Sequence, residues 1–378
     1  MAEASDSPDS RAPLLSLFVG ARNDAYMGDS RWRLETTINY LGENLERLQR
    51  QDSVELVVCD WGSAQPLHAV LNLTPAGRRI VRFILVPASM ARRYAIPEND
   101  WPMALLQNVA VRRCRGRFIG QTDSDMLFPA PTLRRILALA DGGCVEGVET
   151  GRGFFFAGRR HVPTSYVAMR PPLHEISWVV RRYGRALPEN PWFWFVGRAY
   201  TGTGLVLMHR DLWSECRGYD ERMVFWGSVD LNLAARALRR SPWVDMTRRG
   251  FELYHLNHHG PGGAAGPSRV WNPRKFDGLP FCPNGPDWGL GDRTFEEFVY
   301  PVEPAPSVPR PAGPSAPRWD WSRFRHLLPA LLTAPLRQTM TPRAQSSLWY
   351  LEAQLRARPW YRALSVLPDY LRRWAGRK

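Results

Sequence analysis

Two kinds of hydrophobic pattern alternate along the first third of the chain, and this alternation limits the folds open to it. Short apolar runs typical of buried strands are separated by segments in which apolar residues recur at helical spacing. The clearest predicted helix is 30–51, with Leu34, Ile38 and Leu41 on one face, and 103–114 is a second. The predicted strands are 14–20, 54–59, 80–86 and 117–121. The pattern predicts an α/β fold: a mostly parallel sheet with helices on both faces.

Composition divides the chain into four parts. Residues 1–12 are polar and acidic and are expected to be flexible, and 13–302 carry the α/β domain. Residues 303–318 form a linker rich in Pro, Ala and Ser, a composition that does not support regular structure. Residues 319–378 follow as a tail in which Leu, Trp and Tyr alternate with Arg, which predicts a basic amphipathic helix suited to a membrane surface. Packing of this helix on its own domain or on a partner is the alternative.

The later part of the α/β domain gives weaker signals. A strand is predicted at 205–208, a helix at 229–239 and a last strand at 251–255. The segment 151–200, rich in Arg, Pro and aromatic residues, is expected to be irregular.

Charge and cysteine usage narrow the class of protein. The net charge is +14, and because lysine occurs only at Lys275 and Lys378, nearly all of the positive charge is arginine. Such an excess predicts attraction to polyanions, for example lipid headgroups or phosphorylated substrates. The five cysteines have no CxxC spacing, which argues against a disulfide framework and a zinc site. No apolar run of membrane-spanning length and no signal core is found, so we expect a cytoplasmic protein.

Polar residues follow three of the predicted strands. They are 21–24 (ARND), 60–63 (DWGS) and 122–125 (TDSD). In a parallel sheet the carboxyl ends of the strands meet at one edge, where ligands bind. Three acidic clusters are therefore expected to converge there, which packing alone does not explain.

Several of these residues could hold a metal ion or move a proton. Asp123 and Asp125, two residues apart after a strand, suit a divalent cation, although two solvated carboxylates in a turn are the alternative. A histidine from the later cluster YHLNHH (254–259) could complete such a site, or could be an ordinary histidine. Asp230, at a predicted helix start, could be a general base, or the helix could be capped by Asp230 or Ser228.

The chain resembles the family 2-like glycosyltransferases of the GT-A fold through five segments in consistent order. These are ARND, CDWGS, LLQNVAVRRCRGRFIGQTDSD, GTGLVLMHRDLWSECRGYDERMVFWGSVDLN and YHLNHH. It is most similar to bacterial members with an Arg-Asn-Asp segment after the first strand.

The resemblance implies a Rossmann-like GT-A sheet and transfer of a sugar from a nucleotide-diphospho-sugar to a hydroxyl of a glycan or lipid-linked glycan. Mn²⁺ or Mg²⁺ would be held by Asp125 with His255 or His258, of which His255 is favoured because it ends a strand. Asp230 would be the base of an inverting reaction. The residues implied at the nucleotide sugar are Arg22, Asn23, Asp24, Asp60, Asn108 and Asp123.

The acceptor side is less well defined by the resemblance. Arg159 and Trp192 in the segment 151–200, with Trp226 and Gly227 just before Asp230, are its candidates. The aromatic residues of the same segment, at 154–156 and 192–194, could stack on sugar faces or could belong to the core. Three departures from the family pattern also bear on the site: Val229 replaces a Glu, Asn232 replaces a later Asp, and Trp61 replaces a second Asp in the nucleotide loop.

Two other functions remain open. A nucleotidyltransferase that makes a sugar nucleotide would share the sheet and the metal, but 21–30 lacks the expected Gly-rich phosphate loop. A non-catalytic protein that binds polyanions or a membrane surface would explain the arginine excess but not the acidic clusters. Nucleic acid is not an expected partner, and the tail would place an enzyme at the inner face of the membrane.

Overall fold

A computed structural model describes residues 12–25, 27–145, 147–189, 204–225, 227–258, 272, 280–301, 320–332 and 334. The strands in this part of the chain are β1 Leu15–Ala21, β2 Val54–Trp61, β3 Val81–Val86, β4 Phe118–Gln121, β5 Met126–Leu127, β6 Cys144–Val145, β7 Val148–Glu149, β8 Phe154–Ala157, β9 Arg160–Val162, β10 Leu205–His209, β11 Trp243–Asp245, β12 Tyr254–Leu256 and β13 Glu296–Val299. The α-helices are α1 Ser30–Leu48, α2 Leu67–Val70, α3 Pro75–Ile80, α4 Ala88–Arg93, α5 Met103–Arg113, α6 Ala130–Ala140, α7 Thr164–Val167, α8 Leu173–Tyr183, α9 Arg210–Cys216, α10 Val229–Ala237, α11 Trp321–Phe324 and α12 Leu328–Leu332.

An eight-stranded sheet in the order β11-β8-β10-β4-β1-β2-β3-β13 forms the centre of the fold. Its middle strands β4, β1, β2 and β3 are parallel, while β10 runs antiparallel to both β4 and β8, and β13 runs antiparallel to β3. The prediction of an α/β fold with a mostly parallel sheet is confirmed.

Alternate residues of β1 fill two cores, as expected for a strand covered on both faces. Leu15 and Leu17 are buried against α1 and α6, in a cluster with Ile38 and Ile136. Phe18 points to the opposite core, which contains residues of α5, α9 and α10. The helices therefore cover both faces, as predicted.

A small second sheet carries residues that become important at the site. Its order is β5-β12-β9, with β12 antiparallel to β5 and parallel to β9. The final predicted strand, 251–255, is thus shorter and later than expected, because pairing with β5 and β9 begins at Tyr254.

The segment 151–200 was predicted to be irregular, and this was wrong for its described part. It contains β8, β9, α7 and α8, and the three phenylalanines 154–156 of β8 are at most 5% exposed. These rings are core residues of the large sheet rather than sugar-stacking ones. Trp192 lies outside the described residues.

The beginning of the predicted tail packs on the domain. Leu327 is fully buried in a cluster with Tyr166 of α7 and Ile176 of α8, and Arg323 contacts the buried Glu175 carboxylate at 3.0 Å. The linker 303–318 and residues 335–378 lie outside the described part of the chain. None of the described helices is both long and apolar enough to cross a bilayer.

Candidate metal and catalytic site

The polar segments after β1, β2 and β4 lie at one edge of the sheet because these strands are parallel neighbours. This places 22–24, 60–63 and 122–125 at the same end of the sheet. The edge is where the resemblance puts the donor nucleotide.

Asp125, His255 and His258 form a compact cluster at this edge. Their potential ligand atoms all lie within 4.8 Å of one another. His255 Nε2 lies 3.2 Å from Oδ1 of Asp125, and His258 Nε2 lies 3.1 Å from Oδ2. Asp125 and His255 are almost fully buried, and His258 is partly exposed, so the cluster opens to solvent on one side.

The small sheet brings these residues together from distant parts of the chain. Asp125 directly precedes β5, and His255 in β12 stands opposite Met126 in the antiparallel register. The Leu256 amide donates to the Asp125 carbonyl at 2.9 Å, which extends this pairing to Asp125 itself. Two of the three candidate ligands are thus fixed by backbone hydrogen bonds rather than by flexible loops.

The protonation states in this cluster suit metal binding. Burial lowers the pKa of His255 to about 4, with a further contribution from Arg159, so its imidazole is neutral near pH 7. Burial alone would raise the pKa of Asp125, but its contacts with His255 and His258 hold it well below its usual range. An ionised carboxylate beside a neutral imidazole is the form in which both groups bind cations.

The donor atoms around Asp125 also suit a metal ion. The Oδ1 atom of Asp125 is buried and lies 3.2 Å from Nε2 of His255, and when that nitrogen carries no proton the two atoms do not form a hydrogen bond. A buried carboxylate oxygen normally has a partner, so this one has capacity for a cation. Two imidazoles among three donors suit a transition-metal ion better than Mg²⁺, which prefers oxygen ligands.

Two residues in contact with the cluster were missed by sequence reasoning. Arg33 of α1 has a side chain 2% exposed, and its Nε lies 3.4 Å from Oδ2 of Asp125. His161 of β9 places its Nδ1 3.1 Å from Nδ1 of His255. Neither residue belongs to a recognisable motif. Arg33 would have stood out if its burial had been known, but nothing in the sequence showed that this helix position is buried.

Asp123 lies beside the cluster and is bound to Arg159. Partial burial and the neighbouring carboxylates of Asp125 and Asp230 raise the pKa of Asp123 to about 6, against the lowering effect of Arg159. Arg159, predicted on the acceptor side, is therefore located at the Asp123–Asp125 motif. The charge of Asp230 contributes to the raised pKa of Asp123, so we expect Asp230 to lie near Asp123.

A sharp turn presents Asp230 in the first turn of α10. Gly227 and Ser228 both have positive φ, of 78° and 62°, and the left-handed conformation is unfavourable for serine. The Ser228 side chain makes no capping hydrogen bond, and Asp230 lies two residues beyond this N-cap position. Asp230 is therefore not the N-cap residue, but its Oδ1 accepts from the Leu231 amide at 3.0 Å, so it does satisfy one of the free amides at the start of α10. Trp226 lies outside the described residues.

Asn272 supports this turn through hydrogen bonds, and Tyr219 is affected by the charge of Asp230. The Asn272 amide donates to the carbonyls of Phe225 and Gly227 and accepts from the Phe225 amide. The Tyr219 hydroxyl donates to Gln121 Oε1 at 2.5 Å, and burial together with the charges of Asp230 and Asp123 raises its pKa.

The candidates for the nucleotide side are linked to one another. Arg22 Nε lies 2.6 Å from Asp24 Oδ2, and its guanidinium also contacts Asp100 at 3.0 Å and lies over the ring of Trp101. The side chains of Arg22, Asp24 and Asp100 are partly exposed and form a polar surface beyond the end of β1.

Asp60 and Asn23 have roles within the protein fold. Asp60 is 2% exposed and accepts from the Ser63 hydroxyl and from the Leu67 amide, which joins the end of β2 to α2. The Asn23 amide in turn donates to Ser63 Oγ at 2.8 Å. Asp60 thus shapes the loop, and a direct contact with a base or ribose stays a prediction.

Asn108 is placed away from any open surface. Its side chain is fully buried, donates to the Tyr219 carbonyl and to Glu221, and accepts from the Tyr219 amide. These contacts hold the loop between α9 and α10. The structure therefore gives Asn108 an indirect role in ordering the segment before Asp230, and no contact supports nucleotide binding.

Comparison with known proteins gives limited matches. No family model and no curated protein matches the chain. Among solved structures, the chain is similar to S. aureus TarS, with a TM-score of 0.39, 14% identity, and coverage of 64% of this chain and 36% of that one. TarS 1-349 in complex with UDP gives a TM-score of 0.39 at 14% identity, over 64% of this chain and 60% of that one. TarS 1-349 in complex with UDP-GlcNAc gives 0.38 at 14% identity, over 65% and 59%. The chain thus spans less than two thirds of the length of each.

Proposed function

We propose that this protein is a metal-dependent glycosyltransferase that moves a sugar from a nucleotide-diphospho-sugar to an acceptor hydroxyl with inversion. The observation that carries the proposal is the three-donor cluster of Asp125, His255 and His258 at the carboxyl edge of the parallel strands. The charge of Asp230 acts on the neighbouring Asp123 carboxyl, which supports Asp230 as the base. A three-donor site with a carboxylate base beside it suits transfer to a hydroxyl better than it suits a binding module.

Each residue has a defined task in this proposal. Asp125, His255 and His258 hold a divalent cation, which when bound neutralises the charge that develops on the leaving diphosphate. Asp230 accepts the proton of the acceptor hydroxyl as that oxygen attacks the anomeric carbon. Holding both substrates in one site makes a bimolecular step effectively unimolecular.

Arg159 fits the donor side of this reaction better than the acceptor side. It is bound to Asp123 at the motif that precedes β5. A guanidinium at this point can bind a phosphate oxygen. The arginine excess of the chain is then a secondary feature rather than the function itself.

The test of catalysis compares Asp230→Asn with a matched control. Asp211 is the second residue of α9, as Asp230 is of α10, but its side chain is 76% exposed. Each purified variant is assayed with UDP-, GDP- and dTDP-linked sugars in Mn²⁺. We expect D230N to lower kcat about 10²- to 10⁴-fold, while D211N keeps wild-type activity and both variants still bind Mn²⁺. Wild-type transfer by D230N would refute its role as the base.

The metal is tested separately from catalysis. Mn²⁺ should stabilise the wild-type protein, by about 2.7 kcal/mol at a concentration 100 times the Kd, and Mg²⁺ should do so less. Asp125→Asn should lose the response to Mn²⁺. Stabilisation of wild type and D125N to the same extent would show that the cation binds elsewhere.

A further inference from the structure

His161 is placed against the metal cluster by the sheet itself. In the parallel pairing of β9 with β12, His161 stands opposite His255 in register. The two Nδ1 atoms lie 3.1 Å apart, and the rings are nearly perpendicular, with an interplanar angle of 87°. Both residues are buried, His161 at 8% exposure. Backbone hydrogen bonds on both strands therefore fix this contact.

A hydrogen bond between two Nδ1 atoms constrains the tautomers of both rings. A proton must lie on one of the two atoms, and a neutral imidazole carries only one N–H. If His255 carries its proton on Nε2, the lone pair needed by a metal is lost. If it carries the proton on Nδ1, that N–H needs an acceptor, and His161 Nδ1 is the atom within reach.

We propose that His161 is a positioning residue for the metal site: its Nδ1 accepts the Nδ1–H of His255 and so directs the His255 Nε2 lone pair toward the cation. The inference rests on the proposed metal site. His161 does not touch the metal or the substrates, and its own proton then lies on Nε2. A hydrogen-bonded partner of this kind typically raises metal affinity about 10- to 100-fold.

The expected effect can be tested with three substitutions. In His161→Asn the side-chain Oδ1 lies the same number of bonds from the backbone as Nδ1 and can accept the same hydrogen bond. His161→Phe keeps a planar ring but cannot accept. His68→Leu serves as the control. It removes a histidine of α2 that stacks on Phe298 of β13, the end strand of the large sheet.

Mn²⁺ affinity is measured by titration with detection of free Mn²⁺ by electron paramagnetic resonance. We expect H161N and H68L to bind within about threefold of wild type, and H161F to bind about 10- to 100-fold more weakly. The melting temperature in EDTA reports whether each variant folds. If H161F does not fold, the smaller His161→Leu takes its place.

The possible results separate this inference from the proposed function. Absence of Mn²⁺ binding by wild type would refute the metal site itself. Binding by wild type together with wild-type affinity in H161F would refute the role of His161 alone. Equal weakening in H161N and H161F would show that the ring, and not its acceptor atom, matters, and would also overturn the inference.

Discussion

Replacement of Arg33 by methionine tests the electrostatic balance of the metal site. The Arg33 side chain is buried, and its Nε lies 3.4 Å from Asp125 Oδ2. Two unit charges at such a distance attract by about 5 kcal/mol at an effective dielectric constant near 20. Methionine retains most of the apolar contacts of the arginine stem, so the main changes are the loss of this charge and of the hydrogen bond to the Met27 carbonyl at 3.2 Å.

Two opposite effects are expected from this one substitution. Without metal, Asp125 loses a buried cationic partner, and the free energy of unfolding should fall by about 3–5 kcal/mol. With metal, a positive charge that repels the cation is gone, so Mn²⁺ should bind at least about tenfold more tightly. Because R33M gains more from the cation than wild type does, saturating Mn²⁺ should restore part of the lost stability.

The measurement is urea unfolding followed by tryptophan fluorescence, in EDTA and in saturating MnCl₂. Arg82→Met is the matched control, since Arg82 is a buried arginine that pairs with Glu55 at 2.9 Å on a different part of the sheet. R82M should be destabilised to a similar extent with no change in Mn²⁺ affinity. Weaker Mn²⁺ binding by R33M than by wild type would refute the idea that Arg33 and the cation compete for Asp125.

Two further predictions concern the fold. Leu327→Ala leaves a cavity under the start of the tail, so it should lower the free energy of unfolding, measured in urea, by about 2–5 kcal/mol. Trp321→Ala is the control: its side chain is 52% exposed, and the change should be less than about 1 kcal/mol. Iodoacetamide at pH 8 should label the exposed Cys144 of the native protein, and mass spectrometry should find Cys59 and Cys114 labelled only after unfolding, since burial raises the pKa of both thiols. Equal destabilisation by the first pair, or early labelling of the buried thiols, would contradict the packing described above.

The central sheet could be predicted because its strands are buried on both faces. Such strands are continuous apolar runs, and β1, β2, β3 and β4 all lie within a residue or two of the predicted segments. The edge strand β13 was not predicted. Its residues Glu296, Glu297 and Val299 are exposed, so its sequence carries no hydrophobic signal, and it is recognised only by its antiparallel pairing with β3.

The same reasoning explains which parts of the site were found. Asp125 lies in the polar segment after the predicted strand 117–121, and His255 ends the predicted strand 251–255. A polar residue at the end of an apolar run is easy to recognise in a sequence. His161 follows Gly158–Arg159–Arg160 and shows no such run. Its position is set by strand pairing with His255, which lies 94 residues later in the chain. Arg33 lies on a second buried face of α1, which helical spacing of the leucines does not reveal. Contacts set by long-range pairing leave no local pattern to recognise.

The two departures beside Asp230 are explained by packing on the other side of α10. Val229 is 3% exposed within an apolar core, where a glutamate would have to bury its charge. Asn232 accepts from Arg236 Nε at 2.8 Å, and the same guanidinium donates to the carbonyls of Cys216 and Gly218. Both positions therefore stabilise the helix and the loop before it, while the charge of Asp230 acts on Asp123 and Tyr219. Because neither change removes the Asp230 carboxylate, we expect both to be compatible with its proposed role as the base.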